Sequence, residues 1–268
     1  MGPKYEFTDE TIKRMGHILY RIKRLSDGKL GGFIEKESNL SQEGNCWVDN
    51  NACVWGDAKV FDNARVENEA WVYENANIFS NAYIYDNAKI FGKAWIYGDA
   101  KVFNDAIVHN ATFVKGNAQV YDRAKIEDNS FICDDAQVFG DAIIKNNAWI
   151  YDQAKVYGDA QVYNKAQIYG SASISGAAQI YDNAKVYNNA IIHEYANVYG
   201  KAQIYGNAHV QGNAKIYGSA QVYDNAEVYD FAKVYDDAIV YDNAKICGNA
   251  IVECNKIICS NAKFSGNY

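Results

Sequence analysis

The chain has 268 residues, with 26 Lys plus Arg against 33 Asp plus Glu and a formal net charge of −7, a balance that argues against a surface built to grip nucleic-acid phosphates. Hydrophobic residues make up 49% of it, enough for a core and too many for a disordered chain, and no apolar run approaches the ~18 residues of a membrane helix. The six cysteines include no CxxC pair and no histidine at zinc spacing, which disfavours a metal site. There are 22 tyrosines and a single proline, a skew that points to internal repetition.

Residues 1–45 carry no repeat and read as a small N-terminal cap. The polar start, Met1 to Glu10, has no secretory h-region, which predicts a cytoplasmic protein. Thr8-Asp-Glu-Thr-Ile-Lys-Arg14 predicts a short helix with Thr8 as N-cap. His17 to Leu25 predicts a strand with Ile18, Tyr20 and Ile22 on one side. Gly31-Gly32 marks a turn or a close backbone approach. A cap is expected because an open coil end exposes a β edge and an apolar core.

From Cys46 the sequence runs in sixes, as in Ala58-Lys-Val-Phe-Asp-Asn and Ala184-Lys-Val-Tyr-Asn-Asn, and residues 46–267 make 37 hexads without a slip. The first position is Ala in 33 of 37 hexads, the third Val or Ile in 36, and the fourth Phe, Trp or Tyr in 23. Positions one and three share a parity, so they turn one apolar side inward while positions two and four face out. Positions five and six are mostly Gly, Asp, Asn or Ser, residues that suit a tight corner. The hexad is thus a short strand and a two-residue corner, and only stacking can bury its inner side. Trp95, Phe113, Phe131 and Trp149 at position two lie 18 residues apart, which predicts three hexads per coil and about 12 coils. Residues 46–268 are therefore read as an all-β, single-stranded parallel β-helix of triangular section.

This pattern resembles the left-handed parallel β-helix of the hexapeptide-repeat superfamily, and the resemblance alone implies the handedness. Leu30-Gly-Gly-Phe-Ile-Glu35, followed by Asn39-Leu-Ser-Gln-Glu-Gly-Asn-Cys-Trp-Val48, is similar to the N-terminal signature of YdcK-like bacterial and prophage proteins, with Phe33 where Trp is common. The resemblance implies an acyltransferase label that rests on fold analogy. It also brings a phage-encoded inhibitor of a host factor into view. Hexapeptide acyltransferases place a general-base histidine on a face or loop, often with an extruded loop and a C-terminal helix. This chain has neither addition in its sequence. Its histidine column, His193 with Ser175 one coil below and Gln211 one coil above, offers a weak catalytic alternative that would use acyl-CoA. The competing reading is a polar interruption of a tyrosine ladder.

Position-four aromatics predict stacked ladders. One would hold Tyr163, Tyr181, Tyr199, Tyr217 and Tyr235. A second would hold Tyr151, Tyr169, Tyr187, Tyr205, Tyr223 and Tyr241, and a third Tyr85, Phe103, Tyr121, Phe139 and Tyr157. Between residues 95 and 150 the pattern changes. Position four becomes His109, Lys115, Glu127 and Lys145, while position two becomes apolar at Trp95, Ile107, Phe113, Phe131, Ile143 and Trp149. An apolar stripe rimmed by charges suggests a protein-binding or self-association face, and ladder drift is the structural alternative. The leading expectation is a non-enzymatic binding or scaffold protein with no cofactor or metal, a protein partner or oligomer, and no membrane contact. The alternatives are an acyl-CoA-dependent acyltransferase and an acidic nucleic-acid mimic, the latter weakened by lysines such as Lys59, Lys89 and Lys101 among the corner aspartates.

Overall fold

A computed structural model describes residues 2–266, so residues 267 and 268 of the repeat reading lie outside the described residues. The chain is an all-β parallel β-solenoid whose strands join every third hexad. It divides into two compact units, residues 1–129 and 130–268.

The first unit begins with three strands, β1 (Tyr5–Arg14), β2 (His17–Arg24) and β3 (Leu30–Ile34). The helix expected from Thr8 is replaced by β1, which pairs antiparallel with β2. Thr8 and Thr11 are β-branched and favour extended backbone. The Thr8 Oγ1 accepts the Glu10 N–H at 3.3 Å within an irregularity between Phe7 and Thr11, so the hydroxyl supports a bulge and not a helix start. In β2 the buried residues are Leu19 and Ile22, while Ile18 and Tyr20 are exposed. A register shift between Arg21 and Lys23 breaks the period of two on which the expectation rested.

β3 runs parallel to Cys53–Val54 and Leu40 bridges to Val60, so the solenoid ladder reaches back before Cys46. A Cβ on Gly31 would stand 2.7 Å from the Trp47 ring, and one on Gly32 2.5 Å from the Ala52 carbonyl. The pair therefore permits the close approach the sequence suggested. Asn39 is fully buried and satisfied: its amide donates to the Gly56 and Ala58 carbonyls at 3.0 and 2.9 Å, and its oxygen accepts from Lys36 N at 2.9 Å. Leu19, Phe33, Cys53 and Trp55 form a buried cluster against which Ile12, Trp71 and Tyr73 pack. The non-repeating segment thus buries outward positions of the first turn.

The rest of the first unit has three faces. One continues from β3 through Cys53–Val54, Trp71–Val72, Lys89–Ile90 and Ile107–Val108 to Lys125–Ile126. The second holds Trp47–Val48, Arg65–Val66, Tyr83–Ile84, Lys101–Val102 and Gln119–Val120. The third holds Lys59–Val60, Asn77–Ile78, Trp95–Ile96 and Phe113–Val114. The second unit repeats the plan over Phe131–Ile132 to Lys263–Gly266.

In both units the backbone N–H groups at positions two, four and six bond to the next turn, as in Lys59 to Ala76, Phe61 to Ile78 and Asn63 to Ser80 at 2.9, 3.1 and 2.9 Å. Inward Ala, Val and Ile side chains are buried almost throughout, and Thr112, buried at a first position, donates its hydroxyl to the His109 carbonyl at 2.7 Å. Position five adopts left-handed backbone angles, as at Asp62 (φ 57°) and Gly92 (φ 71°). A carboxylate there bonds upward: Glu74 accepts the Gly92 N–H at 3.0 Å and Asp182 the Gly200 N–H at 3.3 Å. Position-six amides form ladders such as Asn45–Asn63–Asn81 and Asn189–Asn207–Asn225, with steps of 3.1 Å.

The expected tyrosine ladders are present in the second unit. Tyr163, Tyr181 and Tyr199 stack at 4.9 Å, and Tyr169, Tyr187 and Tyr205 at 4.8 Å. In the first unit Tyr85, Phe103 and Tyr121 stack at 4.8 and 4.9 Å.

Ile168 is fully buried, so Ile168→Ala is expected to cost about 2–5 kcal/mol, read as a lower urea midpoint. Gly92→Ala would place a Cβ 2.5 Å from the Asn110 nitrogen at positive φ, and a loss of about 1–3 kcal/mol is expected. Burial, followed by the neighbouring phenols and an acidic corner residue, raises Tyr181 and Tyr205 to about 12. The fold therefore favours the neutral phenol, and that contribution is lost as pH rises from 10 through 12. A tyrosinate absorbance titration should show these groups ionising later than tyrosines of the urea-unfolded chain.

Candidate functional site

In the first unit Trp95 and Phe113 sit side by side at outward positions of neighbouring strands, with ring centroids 6.3 Å apart. Phe79 meets Trp95 edge-on at 5.8 Å. Ile107 lies on a different face, between Lys89 and Lys125. His109 follows it and continues a ladder: its ring stacks on Phe91 at 4.7 Å, and its Nε2 lies 3.0 Å from Glu127. Lys115 follows the Phe113 strand. In the second unit Phe131 and Trp149 stack at 4.4 Å. Ile143 lies on another face beside Gln161, and the Lys145 ammonium stands 5.6 Å over the Tyr163 ring.

The expected stripe is therefore divided. Within each unit the aromatic pair occupies one face, and the isoleucine with its polar neighbours occupies another. Only a step of 18 residues stays on one face, whereas Trp95 to Ile107, or Ile143 to Trp149, is a step of 12 or 6. The polar residues also have local work: His109 replaces a ring in a ladder, and Lys145 makes a cation–π contact.

The histidine column differs from its expected form as well. His193 Nε2 lies 2.7 Å from His209 Nε2, and His193 Nδ1 is 4.0 Å from Glu194. One turn below, the Ser173 and Ser175 hydroxyls hold the Tyr157 phenol below its usual range. The two imidazoles must share one proton between the facing nitrogens, one donating and one accepting. Burial, and next the neighbouring His193, press His209 below its usual value, opposed by Glu227 and Glu194. Among the described residues no group of three or more His, Cys, Asp or Glu side chains is placed to hold a metal.

Sequence reasoning missed one feature of the first unit. The hairpin segments around Lys4 and around Arg24 to Lys29 line an open groove of about 930 Å³ along the second face, with Trp47, Arg65 and Lys101. The 18-residue column Trp47, Arg65, Tyr83, Lys101 was readable in the sequence. That the non-repeating segment borders this column was not.

All these sites stand on a parallel β-solenoid, and that is the class of protein the geometry defines. The family model described as the YdcK β-solenoid repeat matches residues 178–194 and 202–218, so the chain is a β-solenoid with YdcK-type repeats in that stretch, which holds both His193 and His209. No curated protein matches the chain.

The His193–His209 pair yields a further prediction. Because the folded state disfavours protonated His209, stability is present above the unfolded histidine value of 6.5 and falls as pH drops through it. His209→Gln places there the residue that Gln203 and Gln221 already supply at position two. Urea midpoints at about pH 7.5 and about pH 5.5 should differ less in His209→Gln than in the parent chain.

Proposed function

We propose that this chain is a non-enzymatic binding protein that presents rigid solenoid faces to a protein partner. The observation that carries the reading is the pair of outward aromatics in each unit, Trp95 with Phe113 and Phe131 with Trp149. Trp95 and Trp149 are 41% and 44% exposed, at a position that Lys and Gln fill in many other turns. Exposed aromatic pairs on a preorganised surface supply large contact area with little ordering cost, the property of interface anchors. A solenoid surface also moves little, which reduces the entropy lost on association. The sequence resemblance to prophage proteins favours a partner in a bacterial host, with inhibition of a host factor as the specific form.

The test is capture from host lysate, followed by affinity measurement with the purified partner. Trp95→Asp/Phe113→Asp and Phe131→Asp/Trp149→Asp alter outward positions, so folding should persist by circular dichroism. At least one pair is expected to weaken binding more than about tenfold. Unchanged affinity in both would remove the reading. Acyl-CoA binding reduced by a His193 substitution would replace it with the transferase alternative.

A further inference from the structure

We propose that the groove along the second face of the first unit binds an anionic oligosaccharide, a uronate-bearing chain laid across successive turns. This inference goes beyond the binding function above and uses none of its residues.

Charge comes first. The chain is acidic overall, at −7, yet the groove gathers Lys4, Arg24, Lys29, Arg65 and Lys101 against Asp49, Glu67 and Asp99. Lys29 pairs with Asp49, Arg24 pairs with Asp27 at 3.2 Å, and Arg65 lies only loosely against Glu67, at 3.6 Å. The Lys4 ammonium meets the Cys46 carbonyl at 2.9 Å and the Cys46 sulfur at 3.2 Å. Among the described residues neither Lys4 nor Lys101 has a carboxylate ion-pair partner. Local charge is thus reversed relative to the whole chain, and an anion is favoured there.

The polar groups narrow the class. Asn45, Asn63 and Asn81 line the groove. Each spends one amide hydrogen on the next residue of the ladder and keeps a second for a ligand. Trp47 lines the groove and carries the Arg24 guanidinium 4.5 Å over its ring. Asp99 already accepts the Asn81 amide at 2.9 Å and Glu67 the Tyr83 hydroxyl at 2.6 Å, and each carboxylate keeps further lone pairs as acceptors. A sugar hydroxyl donates to a carboxylate and accepts from an amide, so it uses both kinds of group. In a uronate chain hydroxyls and carboxylates share one backbone, so a single ligand brings donors to Glu67 and Asp99 and anions to Lys4 and Lys101.

The spacing agrees. Trp47, Arg65, Tyr83 and Lys101 occupy consecutive strands of one face, separated by ~4.8 Å per turn. A pyranose unit in an extended chain is of similar length, so each turn meets one sugar. The groove volume of about 930 Å³ suits a short oligosaccharide.

Isothermal titration calorimetry would test this on the full chain with tetragalacturonate. Cellotetraose, tetraglutamate and a short oligothymidylate serve as comparators. The variant is Arg65→Gln/Lys101→Gln, since Gln119 already fills the next place in that column. Lys101→Gln alone provides a second variant should the double one unfold. Expected are tightest binding of tetragalacturonate, weakening with added salt, and a loss of about tenfold in the variant. No binding of tetragalacturonate, tighter binding of tetraglutamate or oligothymidylate, or unchanged affinity in a folded variant would overturn the proposal. None of these outcomes bears on the aromatic pairs.

Discussion

One backbone constraint organises both units: each turn must hydrogen-bond to the next at a fixed step in sequence. Lys59 donates to Ala76 and Gln161 to Ala178, each at 2.9 Å, and parallel partners such as Lys89 and Ile107 lie 18 residues apart. Once that step is set, every residue sits beside its equivalent one turn away, and side chains become columns. A column of Ala and Val packs inward. A column of Tyr stacks at 4.8–4.9 Å, within the range that suits offset rings. A column of Asn bonds amide to amide at 3.1 Å. One turn has little interior of its own; the column is the unit of stability.

The corners show how tightly the constraint binds. Position five must take a left-handed backbone conformation in order to turn, which favours Gly, Asn and Asp. Where Gly is used, as at Gly92, the next turn lies so close that a Cβ would touch its backbone. At many corners with Asp or Glu the carboxylate accepts the amide N–H of the equivalent residue one turn on, as Asp230 does from Gly248 at 2.9 Å. The same place in the hexad is thus filled by a residue that needs no room or by one that gains a bond there. Glycine's entropic cost and the strain of a non-glycine residue at positive φ are both tolerated, because the step of 18 fixes the corner from either side.

Departures from a column are where chemistry collects. His109 continues a ladder and adds a contact to Glu127. His193 interrupts one and pairs with His209 across adjacent strands. Trp95 and Phe113 put large rings where lysine and glutamine usually stand. In the groove, Arg65, Tyr83 and Lys101 vary along one column while the Asn ladder beside them stays constant. A rigid repeating frame places such groups at fixed separations without further ordering cost, and preorganisation of that kind favours recognition over movement.

The sequence by itself determined the strand, the corner, the step of 18 and the members of each ladder. These follow from period and residue type along one chain, and repetition averages away local exceptions. It also singled out the aromatics of both pairs, because a break in a regular pattern is visible without coordinates. The fate of residues 1–45 was decided only by tertiary structure. Thr8 to Arg14 became a strand because β2 offered it a ladder, and Leu19 with Ile22 turned inward because a register shift reversed the parity. The placing of His209 beside the His193 strand and the faces on which the departures fall follow from the step of 18. The groove beside Trp47 belongs with residues 1–45: it depends on which segments lie next to one another in space, and a period along the chain carries no information about a segment that does not repeat.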